Sequence, residues 1–455
     1  MHKNVDFLFI YEVKSRELEN LCLLKYELEK RNYTVALVNT WYYLSRETLK
    51  YNAKVVISHA LYNDDVFEFI SMYAGKVRKI INMQWEQVGT VLDEIDSKSR
   101  FLVTGVAKKA VHISWGYNNK KRLIEKCGID EKNVKLTGHI ALDFLRKEFD
   151  GYYLSREELF SKFEIPVNKK VCLFISSFSY VNLPDNLTKD KTLNIGGDIN
   201  EFINISINSQ KIILQWFEEA LDKDNELTFI YRPHPAEVKN EALIEFGKKH
   251  KNFFVMADLS VKQWVATCDL IYTWYSTSIA EVYFSNKLCH ILRPIQMPYA
   301  RELAMFEDAE FIKNFEHFDR TLYLEKSMFP IEKTIFSKYY DINKIKPTYI
   351  RISDVMEEVY KNKNYLLPKE YRNRNKNKLT FAQRIRRLVS DSFLYQILIY
   401  FAENTEADFW VLNNIRNKRK SILDEFTLEN QKKNYATEEE IESIEVRIKN
   451  VLDKH

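Results

Sequence analysis

Val5-Asp6-Phe7-Leu8-Phe9-Ile10-Tyr11 reads as a buried strand, and from Ser15 onward Leu18, Leu21, Cys22, Tyr26 and Leu28 recur at helical spacing. The strand pattern returns at Tyr33 to Val38, Lys54 to Ser58, Lys79 to Met83, Val111 to Trp115 and Val134 to Thr137. A second series follows near Lys170, with strands expected at Val171–Ser176, Leu227–Tyr231, Phe253–Ala257, Leu270–Trp274 and Leu288–Leu292. Helical stretches at Gln210–Leu221 and Val238–Lys249 lie between them. Apolar runs alternating with helices predict parallel sheets covered on both faces. The expected fold class is therefore α/β, with two facing Rossmann-like domains over residues 1–142 and 143–363 and a helical extension over 364–455. In such sheets ligands bind outside the carboxyl ends of the strands, so each strand-to-helix junction is a candidate site.

A chain of 455 residues suits at least two domains. Its 45% hydrophobic and 29% charged residues exclude wholesale disorder. Glycine occurs only 10 times and never after Gly247, and no GxGxxG or GxxxxGK[ST] loop is present, so any phosphate site must be built without one. A net charge of +4 is too small to imply nucleic acid. The five cysteines are scattered without CxxC spacing and predict buried thiols, as in Val171-Cys172-Leu173-Phe174. No signal-like segment or run of 18 apolar residues appears, so the expected location is cytoplasmic.

Thr228-Phe229-Ile230-Tyr231-Arg232-Pro233-His234-Pro235-Ala236-Glu237 carries the strongest local signal. Pro233 pushes Arg232 out of the α region and Pro235 suits the first turn of a helix. Arg232 and His234 are thus held stiffly at a strand's carboxyl end, where both can donate hydrogen bonds to a phosphate. A structural turn whose histidine caps a loop is the alternative. Further on, Thr273-Trp274-Tyr275-Ser276-Thr277-Ser278-Ile279-Ala280-Glu281 ends a strand in the hydroxyl residues Ser276, Thr277 and Ser278. Ser278 and Glu281 fit a capping box. The helix start is an anion site or, equally, an ordinary cap. Ser176 and Ser177 end another strand of the same series, before a polar loop containing Asp185, Asp190 and Gly196-Gly197.

In the first series, Ile81-Asn82-Met83-Gln84-Trp85-Glu86-Gln87 offers Glu86 as a general base, with burial beside Trp85 expected to raise its pKa. The plain alternative is a surface carboxylate. His59 ends another strand, and His139 and Asp143 lie at the domain junction, where they line the cleft or serve a hinge or helix cap. No HExxH or clustered His/Cys spacing is present, so no metal or cofactor is expected.

The last part of the chain differs. Lys369 to Val389 holds eight basic residues against Glu370, and apolar residues from Phe381 to Phe401 recur near helical spacing. Residues 369–401 therefore suit an anionic membrane surface, with packing on the body or a homodimer as the alternatives. Thr437 to Leu452 predicts a helix with a narrow stripe of Ile441, Ile444, Ile448 and Val451.

These features resemble glycosyltransferases of the GT-B architecture, in particular bacterial CDP-glycerol glycerophosphotransferases, capsule Kdo-transferases and polysialyltransferases. Arg232-Pro233-His234-Pro235 matches their Arg-Pro-His-Pro-like motif. Thr273-Trp274-Tyr275-Ser276-Thr277-Ser278 is similar to their Thr-Asp-Tyr-Ser-Ser, with Trp274 in place of the aspartate. Gly138 and Asp143 keep the ends of a Gly-x-Pro-Arg-x-Asp motif whose proline and arginine are lost. Trp85-Glu86-Gln87 stands where those families have Trp-His-Gly. The resemblance implies an enzyme of envelope polysaccharide synthesis that moves a sugar from a CMP- or CDP-linked donor to a glycan or lipid-linked glycan, by metal-independent direct displacement. It further implies Glu86 as base and Arg232, His234 and Ser276–Ser278 on the departing phosphate, with work at the inner face of the plasma membrane. A nucleotide-sugar 2-epimerase of the same architecture and a non-catalytic assembly scaffold are the rival readings.

Overall fold

The computed structural model describes residues 3–40, 51–95, 99–182, 199–238, 240–342, 345–372 and 433–454. The first unit holds β1 (Lys3–Tyr11), β2 (Val35–Asn39), β3 (Tyr51–Ser58), β4 (Ile80–Asn82), β5 (Val111–Ser114) and β6 (Val134–Leu136). They form one six-stranded sheet in the order β2-β1-β3-β4-β5-β6. Every pairing is parallel, with Phe7 opposite both Val35 and Val55. The second unit holds β7 (Lys170–Ile175), β8 (Leu227–Arg232), β9 (Phe253–Val255), β10 (Leu270–Thr273), β11 (Leu288–Leu292) and β12 (Phe311–Ile312). Its parallel order is β12-β11-β10-β7-β8-β9. The expected α/β class with two doubly wound sheets is what the chain adopts. β12, only two residues long, carries no periodicity a sequence could reveal.

Burial on both faces explains the near-continuous apolar strands. In the first sheet Phe7, Phe9 and Tyr11 point into one core while Leu8 and Ile10 point into another. The second sheet repeats this with Leu173 and Ile175 on one face and Cys172 and Phe174 on the other. All five cysteines are free and buried.

The chain's last helices return to the first sheet. Ile352, Met356 and Val359 of the helix Thr348–Lys361, and Ile444, Ile448 and Val451 of the helix Glu438–Leu452, share a core with Leu21, Leu24 and Leu28 of the helix Lys14–Lys30. Burying each such aliphatic side chain contributes about 1.5–3 kcal/mol. The final helix starts in a full capping box, with Thr437 Oγ1 accepting from Glu440 N (3.2 Å) and Thr437 N donating to Glu440 Oε2 (2.9 Å). Lys25–Glu445 (2.7 Å) and Arg31–Asp354 (2.9 Å) fasten its edges and those of its neighbour. Of the basic segment, Lys369–Arg372 form a short helix, whereas its remaining residues, with the apolar series 381–401, lie outside the described residues. Among the described residues no helix is long and apolar enough to cross a membrane.

The two units meet through the loops at their strands' carboxyl ends. Thr90 pairs with Leu303 in an antiparallel bridge, Val91 N donates to Glu302 O (2.9 Å) and Ala304 N donates to Gly89 O (2.9 Å). Lys262 of the second unit pairs with Glu19 of the first at 3.1 Å. At Gly116, just past β5, an added Cβ would sit 2.2 Å from the backbone oxygen of Tyr339. Neither backbone can yield, because Asp341 N also donates to Trp115 O (2.7 Å). Gly116→Ala is therefore expected to cost about 1–3 kcal/mol through overpacking, read as a lower midpoint of denaturant unfolding; an unchanged midpoint would show that the seam is loose.

Candidate functional site

Two strand ends of the second sheet are joined by one half-buried carboxylate. Glu237 Oε1 accepts from Ser176 Oγ (2.5 Å), Phe178 N (2.9 Å) and His234 N (2.9 Å), and Tyr231 OH donates to Oε2 (3.2 Å). Burial pushes the Glu237 carboxyl upward against these bonds. The arrangement fixes His234 after β8 beside Ser176 after β7. His234 Nδ1 accepts from Ala236 N at 3.1 Å, so the neutral ring carries its proton on Nε2, and the ring itself is exposed. The helix expected over Val238–Lys249 begins only at Glu241, where Asn240 caps it through Ala242 N (3.0 Å). Glu237 is turned back to hold the loop instead.

Arg232, expected on a phosphate, is directed elsewhere. Its Nη1 donates to Met256 O (2.9 Å) and Asp258 O (2.8 Å), and its Nη2 to Leu259 O. Burial lowers the guanidinium to about 10. This side chain ties the turn after β9 to β8, and the strand register that buries Arg232 is what withdraws it from the cleft.

On the other side of β7, β10 ends in Thr273, whose Oγ1 donates to Ile175 O (3.2 Å). Ser276 is buried, Thr277 exposed and Ser278 half-buried. The expected capping box does not form: Ser278 already has helical dihedrals (φ −65°, ψ −4°) and makes no side-chain cap bond. A capping side chain needs the extended backbone that Ser278 lacks. Ser276 Oγ accepts from Ser278 N (3.2 Å) in its place. Ser177 Oγ is enclosed without a hydrogen-bond partner among the described residues. The strand order β10-β7-β8 therefore brings Ser276–Ser278, Ser176–Ser177 and His234 to one edge, within about 10 Å by strand spacing. Residues 183–198, with Asp185, Asp190 and Gly196-Gly197, lie outside the described residues. Trp274, in the aspartate position, is fully buried and stacks on Phe178 at 4.5 Å, a packing role.

In the first unit, the loop after β4 is stitched down by Gln87. Its Nε2 donates to Met83 O, Gln84 O and Ile113 O, and its Oε1 accepts from Trp115 N and Asn119 Nδ2. Gln84 takes a left-handed φ of 44°, an uncommon conformation outside glycine. Glu86 is not buried beside Trp85 as expected: its side chain is 57% exposed and pairs with Arg16 Nη1 at 2.6 Å. Arg16 also pairs with the buried Glu17 at 2.7 Å, and Glu17 accepts from Glu12 N (2.9 Å). Glu12, after β1, and His59, after the adjacent β3, come within 3.9 Å. Burial pushes the Glu12 carboxyl up, partly opposed by Arg16, and lowers His59 to about 4. His59 Nδ1 is enclosed without a hydrogen-bond partner among the described residues.

His139 and Asp143 stand apart from these groups. His139 is stacked on Trp115 at 3.7 Å, and burial lowers it to about 3. Asp143 is pushed up to about 6 by burial and accepts from Tyr349 N (2.6 Å) at the start of the helix Thr348–Lys361. Both line a cavity shared with Arg146, Phe284 and Asp341, which includes none of the serines or His234. Glu12, Arg16 and Glu237 were missed as site residues. For Glu12 the available signal was its position directly after the first strand.

No family model matches the sequence, and no curated protein matches it. Solved structures do. The wall teichoic acid polymerase TagF is 14% identical over 78% of this chain and 89% of that one, with a TM-score of 0.50. A variant of the same polymerase reaches a TM-score of 0.52 at 13% identity over the same shares. The UDP-GlcNAc 2-epimerase of Neisseria meningitidis is 12% identical over 78% of this chain and 100% of its own, with a TM-score of 0.48. The chain has the GT-B fold.

If Arg232 is a structural tie, Arg232→Met will leave three buried carbonyls unpaired and cost roughly 2–3 kcal/mol. Equilibrium unfolding without ligand would register this, and unchanged stability would return Arg232 to the cleft.

Proposed function

We propose that this chain is a glycosyltransferase of cell-surface glycan synthesis, moving a sugar from a CMP- or CDP-linked donor to a growing glycan. The observation that carries the reading is the gathering of His234, Ser176, Ser177 and Ser276–Ser278 on one strand edge, opposite a unit whose own strand ends carry Glu12, His59 and Glu86. The likeness to TagF, described as a wall teichoic acid polymerase, supports an envelope polymer as product. Cytidine is favoured through the Arg-Pro-His-Pro resemblance.

In this reading an acceptor hydroxyl attacks the sugar's anomeric carbon as the bond from that carbon to the phosphate oxygen breaks. The hydroxyl proton passes to a carboxylate of the first unit. Glu86, the base expected from the sequence, has an oxygen engaged by Arg16, whereas burial pushes the Glu12 carboxyl up, the direction that suits a general base. The charge left on the departing phosphate is met by His234 Nε2–H and the hydroxyls around the Ile279–Phe284 helix start, groups already in place before reaction.

Glu12→Gln is expected to lower kcat by about 100-fold or more with little change in donor affinity, and Glu86→Gln by less; the reverse order would make Glu86 the base. His234→Ala should leave the fold intact, because the ring is exposed, and reduce transfer by about 100-fold or more. A thermal-shift panel of CMP, CDP, UMP, UDP and GDP identifies the donor class, since bound nucleotide raises apparent stability. No shift with any of them would sink this reading, and donor turnover without acceptor would favour an epimerase.

A further inference from the structure

Four arginines are deeply buried among the described residues: Arg122, Arg232, Arg293 and Arg301. Arg122 pairs with Glu94 (2.8 Å) and also donates to Gln87 O and Asn119 Oδ1. Arg232 holds three carbonyls. Arg293 pairs with Glu302 at 2.8 Å among the rings of Trp274, Tyr275 and Phe311. Arg301 differs. It is only 7% exposed, its Nη2 is fully enclosed, and its guanidinium has no hydrogen-bond or ion-pair partner among the described residues. A buried charge is ordinarily paired, because losing hydration without compensation costs several kcal/mol.

The neighbouring carboxylates do not answer it. Glu302 is taken by Arg293 and by Leu303 N (3.0 Å), and Asp93 by Thr90 N (2.9 Å) and Arg100 (3.4 Å). The backbone around Arg301 is firmly set: its N–H donates to Pro298 O (2.8 Å) and its carbonyl accepts from Tyr275 OH (2.6 Å). The turn Tyr299–Arg301 packs against the helix Val91–Ile95 of the first unit. Arg100, also of the first unit, is itself paired with Asp93 (3.4 Å). Arg301 follows β11 and His234 follows β8, with β10 and β7 between.

We propose that Arg301 forms a second anion site that takes an oxyanion, carboxylate or phosphate, carried by the acceptor. The assignment of that anion to the acceptor rests on the transferase reading above, in which the first unit receives the acceptor. A guanidinium suits either group, since its planar donors match two oxygens at once. The acceptor would then be an acidic chain, a sugar acid or a phosphate-linked polymer.

The test uses the full chain with inorganic phosphate and with acetate, following the unfolding midpoint in the wild type, Arg301→Gln and His234→Ala. Expected are an anion-dependent rise in the wild type and in His234→Ala, and at least about tenfold weaker anion binding in Arg301→Gln, the equivalent of one lost charged hydrogen bond. The stronger of the two anions tells phosphate from carboxylate. Ligand-free Arg301→Gln should also unfold at a higher temperature than the wild type, because an uncompensated buried charge is gone; a structural arginine would give the opposite sign. No anion response in the wild type, or one that survives in Arg301→Gln and vanishes in His234→Ala, would overturn the site. Loss of the nucleotide response in Arg301→Gln would also overturn it, by moving Arg301 into the donor clamp. Absence of every nucleotide response together with an intact Arg301-dependent anion response would sink only the transferase reading.

Discussion

One oxygen of Glu237 holds together the region that matters most. Three donors converge on it, from Ser176, Phe178 and His234, and two of these are backbone or side-chain groups of β7's end while the third belongs to the turn after β8. Withdrawing a carboxylate from water is costly unless it is hydrogen-bonded, and this half-buried one recovers the cost only while both strand ends keep their places. The imidazole is therefore positioned through Glu237, whose Oε1 accepts from His234 N. Proline rings at 233 and 235 stiffen the turn, but the hydrogen bonds decide where it points.

Much of the architecture was legible because its cause is local. Strands buried on both faces must be apolar throughout, so runs such as Val171–Phe174 and Phe7–Ile10 announce themselves, and the alternation with helices follows from parallel pairing. The site was legible only in part. The placement of His234 and Ser276 was legible because a strand's carboxyl end is a recognisable place. What Arg232 does was not readable, since the pattern of residues gives a side chain's position and not the carbonyls it will meet at 256, 258 and 259. Ser278 failed as a cap for a similar reason: the motif gives spacing, while capping depends on a dihedral angle. Glu12 and Arg16 become neighbours of Glu86 through the pairing of β1 with β3 and of β3 with β4, contacts that no short motif encodes.

Positive charge in the cleft region is distributed by function of its partners. Arg16 is neutralised by two carboxylates, Arg293 is enclosed by aromatic faces beside Glu302, and Arg301 has no partner for its charge among the described residues. The same short stretch, Arg301 to Ala304, also supplies the backbone that bridges to Gly89–Val91. Any relative movement of the two units would shift that stretch, so charge placement and the contact between units are mechanically linked.

The return of the final helices to the first sheet has a consequence for biogenesis. As the polypeptide leaves the ribosome, Leu21, Leu24 and Leu28 emerge before the second unit, yet the side chains that cover them, Met356, Val359 and Ile448, are made only after it. The first sheet thus carries an unshielded greasy flank while the whole second unit is being made, and until the covering helices arrive the nascent chain presents the kind of surface that holding chaperones bind.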